Sequence, residues 1–119
     1  MIKSIRTFIG ANNFIESRNF YKDLGFSEIL ISEKMSYFKI DEKHGFYLQN
    51  AFVKDWVNNS MLFLEVENIE NYLLAIKEKN LIEKYPKVRL SKIVKNDWGK
   101  EFFLHDPSGI LWHIGCFYE

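Results

Sequence analysis

The sequence predicts an α+β fold made of two consecutive βαβββ modules. In each half a short strand-like run leads into an amphipathic segment, and these segments cover residues 14–25 and 69–80. In each segment the last position follows the first by eleven residues, and the second segment begins 55 residues after the first. Because the order of elements repeats at this offset, we expect two equivalent modules.

The first half is predicted to run β-α-β-β-β. Alternation of polar and apolar side chains over Ile5–Ile9 is typical of a strand. Asn13 and Glu16 form a variant of the capping box at the start of a helix, and Gly25 stands where a helix favours a left-handed C-terminal residue. Three short β-type runs separated by polar breaks follow, at residues 26–31, 35–40 and 46–49.

The second half is predicted to repeat this order. Met61–Val66 is apolar and short enough to be a strand, Asn68 caps a helix, and Asn80 closes it. Asp106–Gly109 has the sequence Asp-Pro-Ser-Gly, which is typical of a type I turn. The strand-like runs of this half lie at residues 88–94, 101–104 and 110–117.

Length and composition limit the function classes. We expect residues 1–119 to form a single domain, with a first module over about residues 1–50, a linker over about 51–59 and a second module over about 60–119. Lys+Arg and Asp+Glu each number 16, so the net charge is zero, which argues against nucleic-acid binding. Cys116 is the only cysteine, which favours a reducing compartment. No run is long enough to span a membrane, so we expect a cytoplasmic protein with neither nucleic-acid nor membrane partners.

Two motifs carry a family resemblance. Phe20–Phe26 resembles an FY-x-x-LGF helix ending, and Trp98–Gly109 resembles a W-G-x-EF-x-x-x-DP-x-G hairpin before a last strand. Both are similar to motifs of the vicinal oxygen chelate superfamily, which contains glyoxalases, bleomycin resistance proteins and dioxygenases. The resemblance covers essentially the whole chain and implies that two curved mixed sheets form a cup around a ligand. It leaves the activity open, because this fold hosts isomerases, dioxygenases, thiol transferases and non-catalytic drug-binding proteins.

The resemblance also implies where a metal would be held. Metal-dependent members supply ligands from the first, fourth, fifth and last strands, and the matching positions here are Arg6, Gln49, Met61 and His113. Arginine stays protonated and cannot ligate, and methionine is soft and suits copper rather than the usual metals of the superfamily. We therefore expect no metal and no other cofactor. If a divalent metal does bind, Gln49 and His113 are the remaining ligands.

Three polar residues have two interpretations each. His113 is either a ligand-binding acid or base on the cup floor, or a half-buried histidine satisfied by a neighbouring strand. Arg6 is either a binding group for a carboxylate or phosphate, or part of a surface ion pair. Glu101 either faces the cup or is solvated. No catalytic residue is assigned, and His113 and Glu101 are the candidates if the protein is an enzyme.

Exposed aromatic residues indicate a ligand-binding surface. The stretch Leu48–Trp56 resembles the L-Q-x-x-x-x-K-x-W segment of bleomycin-resistance-like members, where it borders a drug groove at a dimer interface; simple packing of the linker is the alternative. If Phe63 and Trp98 pack on each other, the protein's own rings fill the cup, which would end the hypothesis of a small-molecule ligand there. The candidate ligand-binding residues are Arg6, Phe8, Gln49, Trp56, Met61, Phe63, Trp98 and His113.

The leading hypothesis is a homodimeric, non-catalytic binder of a planar or aromatic, antibiotic-like small molecule. One alternative is a lyase, isomerase or dioxygenase of the same superfamily that uses a divalent metal. Another is a partner-binding or regulatory module with no small ligand. The sequence leaves open whether the protein is an enzyme.

Overall fold

The computed structural model describes all of residues 1–119 and contains two β-sheets and four helices. The helices are α1 (Phe14–Leu24), α2 (Lys54–Asn59), α3 (Ile69–Glu78) and α4 (Leu81–Lys84). The strands are β1 (Phe8–Gly10), β2 (Ser27–Ser32), β3 (Met35–Lys39), β4 (Gly45–Gln49), β5 (Met61–Glu65), β6 (Arg89–Leu90), β7 (Val94–Lys95), β8 (Gly99–His105) and β9 (Leu111–Phe117). None of these helices has the length and apolar character needed to cross a lipid bilayer.

The two sheets have the same topology. The first sheet has the order β1-β4-β3-β2, and the second has β5-β9-β8-β6 with β7 also paired to β8. In each sheet the strand that opens the half runs parallel to the strand that closes it, and the other pairs are antiparallel. The predicted α+β class with two repeated mixed sheets is therefore confirmed.

The predicted helix caps and the turn are also confirmed. The Asn13 side chain accepts the backbone N–H of Glu16 at 3.0 Å, and Asn68 caps α3 in the same way. Gly25 ends α1 with φ 115°, a left-handed conformation that favours glycine. At the turn, the Asp106 side chain accepts the backbone N–H groups of Ser108 and Ile110, each at 2.9 Å.

Two predicted strands are shorter or more broken than expected. The strand predicted over Ile5–Ile9 begins only at Phe8. The Tyr47 N–H still bonds to the Thr7 carbonyl, but the residues before Thr7 have no neighbouring strand to pair with. The run 88–94 divides into β6 and β7. Between them the Ser91 hydroxyl accepts the Phe103 N–H at 2.8 Å, which takes this donor away from the regular ladder.

The two halves also differ around the helices. The predicted linker contains α2, and its Val57 packs into the core. In the second half the additional short helix α4 lies between α3 and β6. Asn80 has φ 56°, a left-handed conformation that does not continue α3. The chain turns at this residue, and Leu81 after it is buried.

The core lies between the helices and one face of each sheet, and its centre joins the two halves of the chain. Rings of Tyr21, Phe46 and Trp112 contact one another at centroid distances of 5.0–5.9 Å. The Tyr21 hydroxyl donates to the Asp106 carboxylate at 2.6 Å and accepts the Trp112 indole N–H at 2.9 Å. All three polar groups are buried and satisfied, so this network fixes α1 against the second sheet.

The Asp106 carboxyl predicts a pH dependence of stability. Burial raises the pKa of Asp106 from 3.8 to about 6, although hydrogen bonds from Tyr21 and from backbone N–H groups act in the opposite direction. Because the folded-state pKa is the higher one, this group favours folding most at acidic pH, and that contribution is lost as the pH rises through about 6. We compare the unfolding free energies of Asp106→Asn and the wild type by urea denaturation. The value for Asp106→Asn minus that for the wild type should rise by about 2 kcal/mol from pH 4 to pH 7.

Asp106→Asn also changes the hydrogen bonds of the turn, and this changes the unfolding free energy by an amount that does not depend on pH. The test is therefore how the difference in unfolding free energy between variant and wild type changes with pH. Asp55→Asn removes an exposed carboxylate on α2 and should follow the wild-type curve. Parallel curves for wild type and Asp106→Asn would contradict the prediction.

Candidate functional site

The faces of the two sheets that point away from the core carry the candidate residues. Side chains alternate along a strand, so buried Phe46 and Leu48 on β4 leave Tyr47 and Gln49 on the opposite face. We call this face of the first sheet, with Arg6 beside it, the first outer face. On β9 buried Trp112 leaves its neighbours on the opposite face of the second sheet. We call that face the second outer face, and it carries Met61, Phe63, Trp98, Glu101, Phe103, His113 and Phe117.

Arg6 is held on the first outer face by two tyrosine rings. Its guanidinium lies 4.2 Å from the centroid of the Tyr37 ring, and it donates a 2.9 Å hydrogen bond to the Tyr47 hydroxyl. Phe8 stacks on the other ring, with 4.8 Å between the Phe8 and Tyr47 centroids. No carboxylate lies within ion-pair distance of Arg6, so the surface ion pair considered from the sequence does not form.

A groove runs from this aromatic row to the linker. It has a volume of about 470 Å³, and Phe8, Gln49 and Trp56 all line it. Trp56 is 71% exposed on α2, so its ring is open to solvent rather than packed into the linker. A Cβ on Gly10 would lie 2.5 Å from the Ala51 carbonyl oxygen, so only glycine lets β1 approach the linker this closely.

A histidine, a carboxylate and a thioether meet on the second outer face. His113 Nδ1 lies 2.8 Å from Glu101 Oε1, and His113 Nε2 lies 3.2 Å from Met61 Sδ. The other Glu101 oxygen accepts the Asn96 side-chain amide at 2.7 Å. Glu101 therefore faces the same side as His113, and at 9% exposure it is a buried group with two partners rather than a solvated one.

A second histidine borders this cluster. His105 lies on β8 with its side chain on the same face as Glu101. Burial lowers the pKa of His105, and the nearby charges of Arg89 and His113 lower it further. His105 therefore favours the neutral ring, which leaves Glu101 and His113 as the interacting acid–base pair of the face.

The aromatic rings of the second outer face contact one another. Phe63 and Trp98 lie 5.7 Å apart between centroids, and Phe117 contacts both. This is the self-packing considered from the sequence, and it leaves no gap for a ligand between Phe63 and Trp98. The rings stay 46% and 37% exposed, so their outer surfaces remain accessible.

The candidate residues thus divide into two sets within one chain. Arg6, Phe8, Gln49 and Trp56 belong to the first set, and no side-chain hydrogen bond or ring contact joins them to the second outer face. Gln49 lies on β4 of the first sheet and His113 on β9 of the second. No group of three or more His, Cys, Asp or Glu side chains is arranged to hold a metal ion.

Several residues of these faces were missed from the sequence. Tyr37 and Tyr47 hold Arg6, whereas the sequence pattern assigns them only to strands. The period-two alternation around Phe46 and Leu48 was the signal that places Tyr47 beside Gln49. The contact of Phe117 with Trp98 had no comparable signal, because it depends on the pairing of β8 with β9.

Comparison with known proteins supports the fold directly. No protein-family model matches the sequence, and no curated protein matches it. Solved structures do match, over almost the whole chain, and the chain has the glyoxalase/bleomycin resistance/dioxygenase fold.

A bleomycin-binding protein crystallised with bleomycin is 13% identical, with a TM-score of 0.80 over 98% of this chain and 100% of that one. A glyoxalase/bleomycin resistance protein from Catenulispora acidiphila is 16% identical, with a TM-score of 0.76 over 97% of this chain and 98% of that one. A bleomycin resistance determinant encoded on transposon Tn5 is 14% identical, with a TM-score of 0.72 over 98% of this chain and 99% of that one. At these identities the similarity establishes the fold.

The Glu101–His113 contact predicts a measurable coupling energy. His113→Asn should cost about 1–3 kcal/mol of unfolding free energy, because it leaves a buried carboxylate with Asn96 as its only partner. Glu101→Gln in the same chain should recover part of this loss, since the buried negative charge is then removed. Urea denaturation of the two single variants and the double variant gives the coupling energy, which we expect to be about 1 kcal/mol or more. Additive effects would contradict the contact.

Proposed function

We propose that this protein is a non-catalytic binder of a planar or aromatic small molecule, of the antibiotic-binding kind that bleomycin-resistance-like proteins represent. The observation that carries the proposal is the open groove lined by Phe8, Gln49 and Trp56. Solved structures of the same fold include bleomycin-binding and bleomycin resistance proteins, and this adds support.

The groove has the features that favour a flat ligand. Phe8 and Trp56 offer large rings with few rotatable bonds, so a ligand stacks on them with little loss of side-chain freedom. The Gln49 amide makes no side-chain hydrogen bond within the protein, and its donor and acceptor are available to orient a ligand. Arg6 adds a fixed positive charge with no carboxylate partner.

We further propose that the protein acts as a homodimer whose two copies complete each cup. On the two outer faces, Phe8, Met61, Phe63 and Phe117 are all about half exposed or more. Apolar surface of this extent favours burial against another protein surface. In the proposed dimer, the first outer face of one copy lies opposite the second outer face of its partner.

We propose that the protein acts in the cytoplasm and uses neither a metal nor another cofactor. For the enzyme alternative, Glu101 and His113 are the candidate acid–base pair, and the Met61 sulfur lies against the second ring nitrogen of His113. A bound substrate would have to displace that sulfur before His113 could act as a base. The non-catalytic function therefore agrees better with the observed contacts.

Ligand binding should depend on the groove aromatics. A thermal-shift screen of planar antibiotics and aromatic metabolites, followed by calorimetry, should find ligands that raise the melting temperature. Trp56→Ala and Phe8→Ala should each weaken the binding of such a ligand by roughly 3- to 15-fold, the loss expected for one aromatic contact. Leu74→Ala removes an exposed apolar side chain from α3 and should leave affinity unchanged. If no compound binds while the protein captures a specific protein partner, the partner-binding alternative replaces this proposal.

Mixing two defective variants tests the shared cup. Trp56→Ala damages the first outer face, and Trp98→Ala damages the second. If each cup combines both faces from different copies, a mixed dimer has one cup with both defects and one intact cup. After unfolding and refolding an equimolar mixture, about one quarter of the sites should regain wild-type affinity. No recovery in a protein that is dimeric by sedimentation would show that each site lies within one chain.

A further inference from the structure

The edge of the first sheet at β2 has no partner within the chain. In the order β1-β4-β3-β2 this strand pairs only with β3. The consecutive apolar side chains of Ile29, Leu30 and Ile31 are 53%, 51% and 50% exposed. Sheet edges that stay free in solution commonly carry lysine or proline, because an uncovered edge pairs readily with another strand. β2 contains neither, and its only charged residue is Glu28.

The direction of the backbone groups on β2 follows from the strand registers. The Asn50 N–H bonds to the Lys34 carbonyl at 2.8 Å, at the start of the ladder between β3 and β4. Backbone groups along a strand point alternately to its two neighbours, so those of Tyr37, an odd number of residues further on, bond to β2 instead. Ile29 is directly opposite Tyr37. The N–H and C=O groups of Ile29 are therefore used within the sheet.

The residues on either side of Ile29 have backbone groups that point away from the sheet. These residues are Glu28 and Leu30, and neither makes a backbone hydrogen bond outside the strand ladders. The register of β2 shifts between Leu30 and Ser32, so this bulge ends the regular outward row at Leu30. The free edge is thus short and is centred on Ile29.

We propose that a second copy of this chain pairs with β2 in antiparallel orientation, with the two-fold axis beside Ile29. In this register Glu28 of each copy is opposite Leu30 of the other, and each such pair exchanges both of its backbone N–H···O bonds. The first sheets of the two copies then form one continuous sheet. The contact uses the strand edge, so it is independent of the proposed small-molecule function and of the proposed dimer through the outer faces.

Charge and symmetry favour a second copy over an unrelated strand. Glu28 already bonds to Arg18 at 2.6 Å and lies 3.7 Å from Lys22. Self-pairing brings no like charges directly opposite one another, because each Glu28 faces an apolar Leu30. At the axis Ile29 meets Ile29 of the second copy, and β-branched side chains pack well in such cross-strand positions.

Further apolar surface borders this edge on the helix side of the sheet. Ile15 of α1 is 66% exposed and lines a surface groove together with Phe14 and Leu30. Pairing through β2 brings the same groove of the second copy to the same side of the continuous sheet. Burial of these side chains adds to the backbone hydrogen bonds, which by themselves contribute little net free energy in water.

A cysteine scan tests both the contact and its register. It uses the full chain carrying Cys116→Ser, which removes the only native thiol. Ile29 and its copy would form a non-hydrogen-bonded pair with Cα atoms about 4.5 Å apart, within the range that a disulfide spans. Ile29→Cys should therefore give a covalent dimer under mild oxidation, measured by non-reducing electrophoresis. Leu30→Cys should not, because the two Leu30 residues would be diagonal neighbours about 7–8 Å apart.

Ile82→Cys is the matched control, since Ile82 is 50% exposed on α4 and lies outside the first sheet. We expect Ile29→Cys to cross-link roughly 10-fold faster or more, because paired thiols have a far higher effective concentration than thiols that meet by collision.

Ile29→Lys should separate the two copies. It removes the Ile29 pair and places two positive charges directly opposite each other, so the dissociation constant for self-association should rise roughly 10-fold or more. Ile82→Lys should leave this constant unchanged. Sedimentation measures the association, and thermal melting checks that both lysine variants are folded. If the outer-face dimer also forms, Ile29→Lys converts a tetramer into a dimer; otherwise it converts a dimer into a monomer.

Three results overturn the proposal. The first is cross-linking of Ile29→Cys no faster than that of Ile82→Cys, which includes a β2 edge that binds an unrelated strand instead. The second is faster cross-linking through Leu30→Cys than through Ile29→Cys, because it requires another register. The third is a state of association that Ile29→Lys leaves unchanged.

Discussion

A buried hydrogen-bond network between Tyr21, Asp106 and Trp112 sets the relative position of the two halves of this protein. Tyr21 comes from the first helix, and the other two residues come from the turn and the last strand of the second sheet. Each outer face is the reverse side of a sheet whose inner side packs around these rings. The orientation of the candidate groove relative to the His113 cluster therefore depends on groups that touch neither. The fold retains this network although burial of the Asp106 carboxylate opposes its ionisation.

Features with a local cause were predictable from the sequence. The capping asparagines, Gly25 and the Asp106 turn each depend on residues within a few positions of one another, and the structure has all of them. The repeat offset predicted the matching strand orders because it reflects the same alternation of helix and strand patterns in both halves. The departures arose where tertiary contacts overrule local pattern. At Ser91 a side chain replaces a backbone acceptor, and at Leu81 burial accompanies a short helix that the pattern did not predict.

The candidate site was predictable only in part, for a similar reason. Strand parity placed Phe8 on the outer face, and the position of Trp56 in the linker placed it beside the same groove. Parity does not specify which side chains meet across neighbouring strands. The tyrosines that hold Arg6, and the approach of Met61 to His113, depend on the registers of β3 with β4 and of β5 with β9. The division of the candidate residues between two faces likewise follows from three-dimensional packing.

The close approach of Gly10 to Ala51 limits which parts of the groove can change in shape. Because two backbone segments touch there, the floor of the groove is set by main-chain contact and does not widen when wall side chains change. The exposed wall residue Trp56 makes no contribution to the core and is free to vary. Exchange of wall residues therefore changes the surface of the groove at little cost to folding, while the glycine itself is under strict steric constraint.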